Sequence, residues 1–257
     1  MITSLQHATV KYVRSLSDRK QRIATGRCAI EGARLIDDAL AANITPEWVI
    51  CAPRLLPRAT ATLRCLQARH IEVIDVSAAV LKVCSETETP QGLIAVIKQP
   101  QLDWPRAPHL IVIADGLRDP GNLGTLLRSS AAAGVSGVLL APETVEAFNP
   151  KVVRGAMGAH FRLPILAAEW AAIADRVRGL NVYLAEADDA RAYTAIDWTP
   201  PAALIVGGEA EGTSAAAAKL AAARISIPLA RGVESLNAAV AASVILFEAK
   251  RQRELKT

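Results

Sequence analysis

Three polar residues stand in front of a helix that carries no charge. Glu234, Ser235 and Asn237 follow the short apolar stretch 225–227, which Pro228 closes, and they precede a helix expected over 238–253. From Asn237 to Phe247 that helix has no charged side chain. A loop that hands a strand over to a helix offers backbone donors and acceptors and a helix N-terminus, which suits a polar ligand. Taken alone, Ser235 or Asn237 reads first as an N-cap. A second loop, at 115–128, reads DGLRDPGNLGTLLR. Asp119-Pro120-Gly121 makes its turn, and Asn122 is placed to cap the next helix. Arg128, six residues after Asn122, is the lone charge in that helix. Such an arginine either snorkels at the surface or reaches a phosphate or a ribose. A third loop, GGEAEG at 207–212, sets two glycines at a strand end, where backbone can approach a ligand closely. Glu209 and Glu211 follow directly. No G-x-G-x-x-G occurs, so the dinucleotide fingerprint is absent.

The elements that must position these loops can be read from hydrophobic runs. In the first half, strands are expected at 28–32, 47–52, 71–76 and 93–98, with helices at 8–24, 33–42 and 57–68. The stretch 99–108, QPQLDWPRAP, has three prolines among polar neighbours and reads as a linker. Near-continuous apolar strands then follow at 109–114, 135–141, 181–187 and 203–208, and 225–227 closes the set. Helices fall between them at 122–133, 150–158, 169–178 and 214–222. This pattern is that of an α/β fold with a mostly parallel sheet covered on both faces. Ligands of such sheets sit beyond the carboxyl ends of strands, which directs attention to the loops after 114, 208 and 228. The expected division is a smaller α/β domain over 1–98, the linker 99–108, and a second domain over 109–257.

Composition narrows the function classes. The 257 residues are rich in alanine and aliphatics, enough for a real core, with no apolar run of membrane-spanning length. No signal-peptide pattern opens the chain, and Cys28, Cys51, Cys65 and Cys84 have no C-x-x-C spacing, which points to free thiols in a reducing cytoplasm. The four histidines form no metal-ligand pattern, so no metal is expected. The net charge is +4, yet residues 1–34 alone hold seven cations against two carboxylates. Lys11, Arg14, Arg19, Lys20 and Arg34 are the candidate contacts to a polyanion on that segment, the bland alternative being a solvated helix face.

Taken together, the three loops resemble the motifs of the SpoU (TrmH-like) family of RNA 2′-O-methyltransferases in the SPOUT superfamily. DPGNLGTLLR is similar to its first motif, with Asn122 and Arg128 at the functional asparagine and arginine. GGEAEG is similar to the second, with Glu209 at the family glutamate, and IPLARGVESLNAAVA to the third, with Ser235 and Asn237 at its polar positions. The segment 149–164 resembles the stretch between the first two motifs, with Ala156 where the family often has serine. More loosely, GRCAIEGARLIDDAL resembles the family's ribosomal-protein-like RNA-binding domain. The resemblance implies an α/β methyltransferase domain whose C-terminal segment is threaded as a trefoil knot, and a homodimer with the C-terminal helix in or near the interface. It implies S-adenosylmethionine as cofactor, contacted by the backbone of Gly207, Ile227 and Leu236. It implies methyl transfer to a ribose 2′-hydroxyl, ribosomal RNA before transfer RNA, with Arg128 as base or as cationic stabiliser and Asn122, Glu209, Ser235 and Asn237 orienting it. The rival from another class is a non-catalytic RNA-binding protein of the same fold, against which the intact polar set argues.

Overall fold

Strand β4 (Leu93–Lys98) shows why an unbroken apolar run can be a strand. In the computed structural model, which describes residues 1–186, 190–208 and 212–256, Leu93, Ala95 and Ile97 bury on one face and Ile94 and Val96 on the other. Both faces of the first sheet are therefore covered. Its order is β1 (Arg27–Glu31), β4, β2 (Trp48–Cys51), β3 (Glu72–Asp75). β4 runs antiparallel to β1 and β2, and β2 parallel to β3. Helices α1 (Ala8–Ser15), α2 (Arg19–Thr25), α3 (Ala33–Ala41), α4 (Pro57–Ala68) and α5 (Ala78–Cys84) complete the N-terminal elements.

The helix expected over 8–24 is two helices. The first ends at Ser15, with Leu16 as its C-cap, and Asp18 opens the second, its Oδ1 accepting from the Lys20 amide at 2.9 Å. Arg22 is buried and its Nη1 donates to the carbonyls of Leu16 and Ser17 at 2.8 and 2.7 Å. Helix-terminal carbonyls need such partners. Helix α5, capped by Ser77, and the short strands described below at 165–167 and 191–192 were not anticipated.

The chain divides into two compact units. The first is Met1–Gln101 together with Phe148–Phe161; the second is Leu102–Ala147 with Arg162–Thr257. Thus α7 (Pro150–Ala156) groups with the first unit, where Val153 and Phe161 join the core of Cys28, Ile30, Ile36 and Leu93.

The second unit is built on a parallel sheet of order β7 (Ile165–Ala167), β6 (Gly137–Leu140), β5 (Leu110–Asp115), β10 (Ala202–Gly207), β8 (Asn181–Ala185), β11 (Ala223–Ser226), β9 (Arg191–Ala192). Ile111, Ile113, Leu139, Ala203 and Ile205 point to one face, where they meet Ile173 of α8 (Trp170–Arg176) and Ala217 of α9 (Ala215–Leu220). Helix α6 (Pro120–Ala133) packs against α10 (Ala238–Glu254), and α10 also meets β10. The expectation that the uncharged stretch of α10 is buried all round holds for one side only. Ala239, Ala242, Ile245, Leu246 and Ala249 are buried, whereas Val240, Val244 and Phe247 are 46%, 37% and 48% exposed. Among the described residues α10 packs chiefly on α6 and β10, and Gln252 and Arg253 near its end donate to the carbonyls of Ile196, Trp198, Pro200 and His109, while the side bearing Val240, Val244 and Phe247 stays exposed.

Candidate active site

The site grows from the carboxyl ends of β5, β8, β10 and β11. Its first part is a cavity of about 420 Å³ lined by Glu186, Gly207, Gly208, Ile227, Ser235 and Leu236, among others. The three residues singled out for cofactor contact thus line one cavity, and Ser235 lines it with them. Its second part, of about 410 Å³, is lined by Asp115, Arg118, Asn122, Glu143 and Trp170. Gly208, Gly212 and Thr213 line both.

Two glycines set this geometry. A Cβ on Gly207 would lie 2.9 Å from Thr213 Cγ2, and one on Gly208 would lie 2.6 Å from the Gly116 carbonyl oxygen. Real Cβ atoms do not approach backbone oxygen so closely, so the β10 end can pass the β5 end only as glycine. Asp115, 4% exposed, accepts from the Ser214 amide at 2.7 Å and so holds the start of α9 against the end of β5.

Asn122 and Asn237 meet although 115 positions apart. Asn237 is the N-cap of α10, its Oδ1 accepting from the Ala239 and Val240 amides at 3.1 and 3.2 Å. That fixes the amide's orientation, because the oxygen must face the helix end. Its Nδ2 then points away and donates to Asn122 Oδ1 at 2.9 Å. One side chain therefore both caps the helix and ties the third sequence loop to the first. Asn122 itself is not the cap of α6. Asp119 holds that position, accepting from the Asn122 amide at 2.8 Å, with Pro120 at the first helical residue. Ser243 Oγ to Ser129 Oγ, 2.7 Å, and Lys250 Nζ to the Ala132 carbonyl, 3.3 Å, continue the seam between α10 and α6.

Arg128 is not at this seam. It is exposed, on a stripe of α6 with Gly121, Thr125 and Ala132. Six residues at about 100° each turn it some 120° away from Asn122 around the helix. Glu209 and Glu211 lie outside the described residues.

Two carboxylates at the strand ends were missed by sequence reasoning. Asp115 is the last residue of β5. Glu186 directly follows β8, accepts from Arg224 Nη1 at 2.8 Å and from Thr213 Oγ1 at 3.3 Å, and lines the first cavity. The sequence does carry a signal for them: an acidic residue ending an apolar strand at the ligand side of a parallel sheet.

On the first unit, Lys11, Arg14, Arg19, Lys20 and Arg34 are all exposed. The local charge excess is smaller at the surface than in the sequence, since Arg22 is buried and Arg27 Nε pairs with Glu47 at 2.5 Å. Among the described residues no group of His, Cys, Asp and Glu could hold a metal ion, and no helix is long and apolar enough to cross a membrane.

Comparison with known proteins places these features in context. The SpoU rRNA Methylase family matches residues 109–247, and the MRM3-like substrate binding domain matches residues 7–95. The mitochondrial rRNA methyltransferase 3 of Mus musculus is 34% identical, over 94% of this chain and 71% of that protein. The 23S rRNA (guanosine(2553)-2′-O)-methyltransferase RlmP of Bacillus subtilis is 32% identical, over 96% of this chain and 97% of the relative. The crystal structure of an AdoMet-bound rRNA methyltransferase from Sinorhizobium meliloti superposes with a TM-score of 0.85 at 31% identity, covering 97% of each chain.

Proposed function

The chain belongs to the SpoU rRNA methylase family and is an S-adenosylmethionine-dependent RNA 2′-O-ribose methyltransferase; from that premise we propose how its residues divide the work. The observation that carries the assignment of roles is the Asn122–Asn237 hydrogen bond, 2.9 Å, which joins two of the three loops beside the cavity lined by Gly207, Ile227 and Leu236. That cavity suits the cofactor. It offers bare backbone at Gly207 and Gly208, apolar walls at Ile227 and Leu236, and the Ser235 and Glu186 side chains at its polar side. The cofactor supplies an electrophilic methyl on a sulfonium; the protein supplies position and electrostatics.

The neighbouring cavity, lined by Asn122, receives the target ribose. Asn122, held by Asn237, orients the 2′-hydroxyl, and Ser235 and Glu209 complete the polar set. Arg128 acts as a cation that stabilises the oxygen as its proton leaves and neutralises the adjacent phosphate. A guanidinium keeps its proton at neutral pH, so stabilisation rather than proton abstraction is the role given to it.

Residues 1–98, together with the segment 148–161 that packs in their core, form the RNA-binding domain, with Lys11, Arg14, Arg19, Lys20 and Arg34 as phosphate contacts, 99–108 the linker and the rest of 109–257 the methyltransferase domain. The RNA is ribosomal, as its relatives' names indicate. The C-terminal segment is a trefoil knot. β11 lies three places from β5 in the sheet, yet α10, which follows it, packs on α6, which follows β5, so the chain crosses back over the strand ends between them. The enzyme is a homodimer through the bare side of α10. Val240, Val244 and Phe247 form one stripe there, beside the exposed Gly121, Thr125 and Arg128 of α6. The four free cysteines fit the cytoplasm.

Single-turnover methyl transfer by Arg128→Lys and Arg128→Ala tests the assignment, with cofactor affinity measured alongside. If the planar fork of the guanidinium is needed, lysine fails nearly as badly as alanine, and both variants bind S-adenosylmethionine normally. Transfer by Arg128→Ala at the wild-type rate would remove Arg128 from the mechanism. Mapping ribose methylation in ribosomal and transfer RNA, from cells with and without the gene, identifies the substrate.

A further inference from the structure

A cavity of about 770 Å³ lies wholly within the first unit and shares no residue with the methyl-transfer site. It is within the range of roughly 300–1,000 Å³ that small-ligand sites occupy. Its mouth carries Lys11 and Arg14, about one turn apart on α1, and Arg34 of α3, all exposed. Arg154 of α7 also lines it, its Nη1 donating to the Glu86 carbonyl oxygen at 2.9 Å. The acidic lining is Glu31, Asp38 and Glu86. Glu31 Oε1 already accepts from Ser85 Oγ at 2.6 Å and Thr87 Oγ1 at 2.8 Å. Between the charges lies an apolar wall that includes Val13, Leu35, Val153 and Met157.

We propose that this cavity receives one unstacked nucleotide of the RNA substrate, distinct from the nucleotide that is methylated. The proposal rests on the reading of the chain as an RNA methyltransferase. Cations at the mouth match phosphate, and the aliphatic wall matches the face of a base, with the Met157 thioether well suited to an aromatic ring. Asp38 and Glu86 match exocyclic amino groups, which carboxylates recognise in bases. A paired helix would present phosphates to an exposed basic surface and leave such a recess unfilled. Sequence-specific RNA recognition takes splayed-out single-stranded bases instead. The first unit thus selects RNA by a looped-out nucleotide as well as by charge.

Cys84 provides the probe. It lines the same cavity, half-buried; burial pushes its thiol pKa up, with the Arg14 charge acting the other way. The experiment uses the full chain with Cys65→Ser, removing the exposed thiol. N-ethylmaleimide labelling of Cys84 is timed by mass spectrometry of the peptide. It is run alone, with a saturating mixed-sequence single-stranded decaribonucleotide, with its fully paired duplex, and with polyglutamate. The single strand is expected to slow labelling about tenfold, which corresponds to ~1.4 kcal/mol, and the duplex to leave it nearly unchanged. Val83→Trp, which fills the rim, and Arg34→Glu, on an exposed helix face, each weaken single-strand binding about tenfold, again ~1.4 kcal/mol. Both keep wild-type circular dichroism and thermal melting, which shows that the first unit is folded, and wild-type affinity for S-adenosylmethionine, which shows the same of the second. Equal labelling of Cys84 in the presence of bound single strand overturns the proposal. So does equal protection by the duplex, and so does protection by polyglutamate alone, which would make the occupant an acidic protein segment. Wild-type methyl transfer to ribosomal RNA is measured in parallel. Transfer with Cys84 unprotected sinks the pocket and leaves the methyltransferase standing; protection without transfer does the reverse.

Discussion

Replacing Asn237 separates two functions that one amide performs. Asn237→Ala removes the cap of α10, worth about 1 kcal/mol, and the hydrogen bond to Asn122, worth about 0.5–1 kcal/mol between partly exposed amides. Urea denaturation should therefore show a loss of about 1.5–2 kcal/mol. Asn122→Ala loses the bridge and keeps the cap, about 0.5–1 kcal/mol. Asn237→Ser keeps a capping oxygen but cannot reach Asn122, so its stability should match Asn122→Ala within a few tenths of a kcal/mol. The double variant Asn122→Ala/Asn237→Ala should cost less than the sum of the singles by the bridge energy, about 0.5–1 kcal/mol, as contacting residues do. Single-turnover methyl transfer then distinguishes structure from function. If the bridge orients the ribose-binding amide, Asn237→Ser transfers as slowly as Asn237→Ala despite its higher stability. Strict additivity in the cycle, or a wild-type rate for Asn237→Ser, would refute the reasoning.

Other perturbations follow from the same geometry. Gly207→Trp should abolish S-adenosylmethionine binding in calorimetry, because the indole would fill the cavity that Gly207 lines; Thr213 Cγ2, 2.9 Å from a Cβ placed there, must shift, so circular dichroism checks that the variant is folded, and wild-type affinity in the folded variant would displace the cofactor from this cavity. Arg22→Ala should lower stability by about 2–3 kcal/mol, since a buried carbonyl, at Leu16, and a part-buried one, at Ser17, lose a charged donor, and leave the salt dependence of RNA binding alone. Arg14→Glu should do the opposite, flattening the slope of log affinity against log salt by about 0.7–0.9 for each phosphate it no longer neutralises. Glu248 is held down to about 2 by hydrogen bonds first from Arg251 and then from Gln252. A depressed carboxyl contributes stability above its unfolded value near 4.5 and loses it as pH falls toward 2. Thermal melts of Glu248→Gln should therefore differ from wild type above that window and converge below it. The gap should stay under about 1 kcal/mol, because Arg251 is largely solvent-screened.

Strands β5, β6 and β10 of the second unit were legible because each is a run of apolar residues that a parallel sheet buries on both faces. HLIVIA and ALIVGG became β5 and β10 within a residue or so. What stayed hidden depends on the third dimension. Spacing could not distinguish one helix from two at 8–24, because the break is made by Asp18 capping and by Arg22 turning inward to carbonyls. Asn122 looked like a cap because it opens the apolar helix, but Pro120 fixes the helix start earlier and Asp119 takes the position. The grouping of 148–161 with the first unit had no local signal, as it rests on Val153 and Phe161 finding a core built largely from residues far earlier in the chain. It also means that deleting residues 1–100 would strip those two side chains of their packing, so point substitutions test the RNA-binding role more cleanly than truncation.

The placement of Arg128 bears on how the proposed site is assembled. Asn122 faces α10, whereas Arg128 points outward along α6, about a third of the helix circumference away. For both to act on one ribose within a single chain, the arginine would have to wrap around its own helix across exposed Thr125. The proposed dimer removes that constraint. Its face would be the bare stripe of Val240, Val244 and Phe247 together with the adjacent α6 stripe that carries Arg128. A twofold contact is self-complementary, so each copy would present its Arg128 to the other across the axis. The uncharged run in α10 and the lone charge in α6 then have one explanation. In that dimer the first would be the apolar part of the contact between copies, and the second a cation carried into it, where exclusion of water would strengthen its hold on a developing oxyanion.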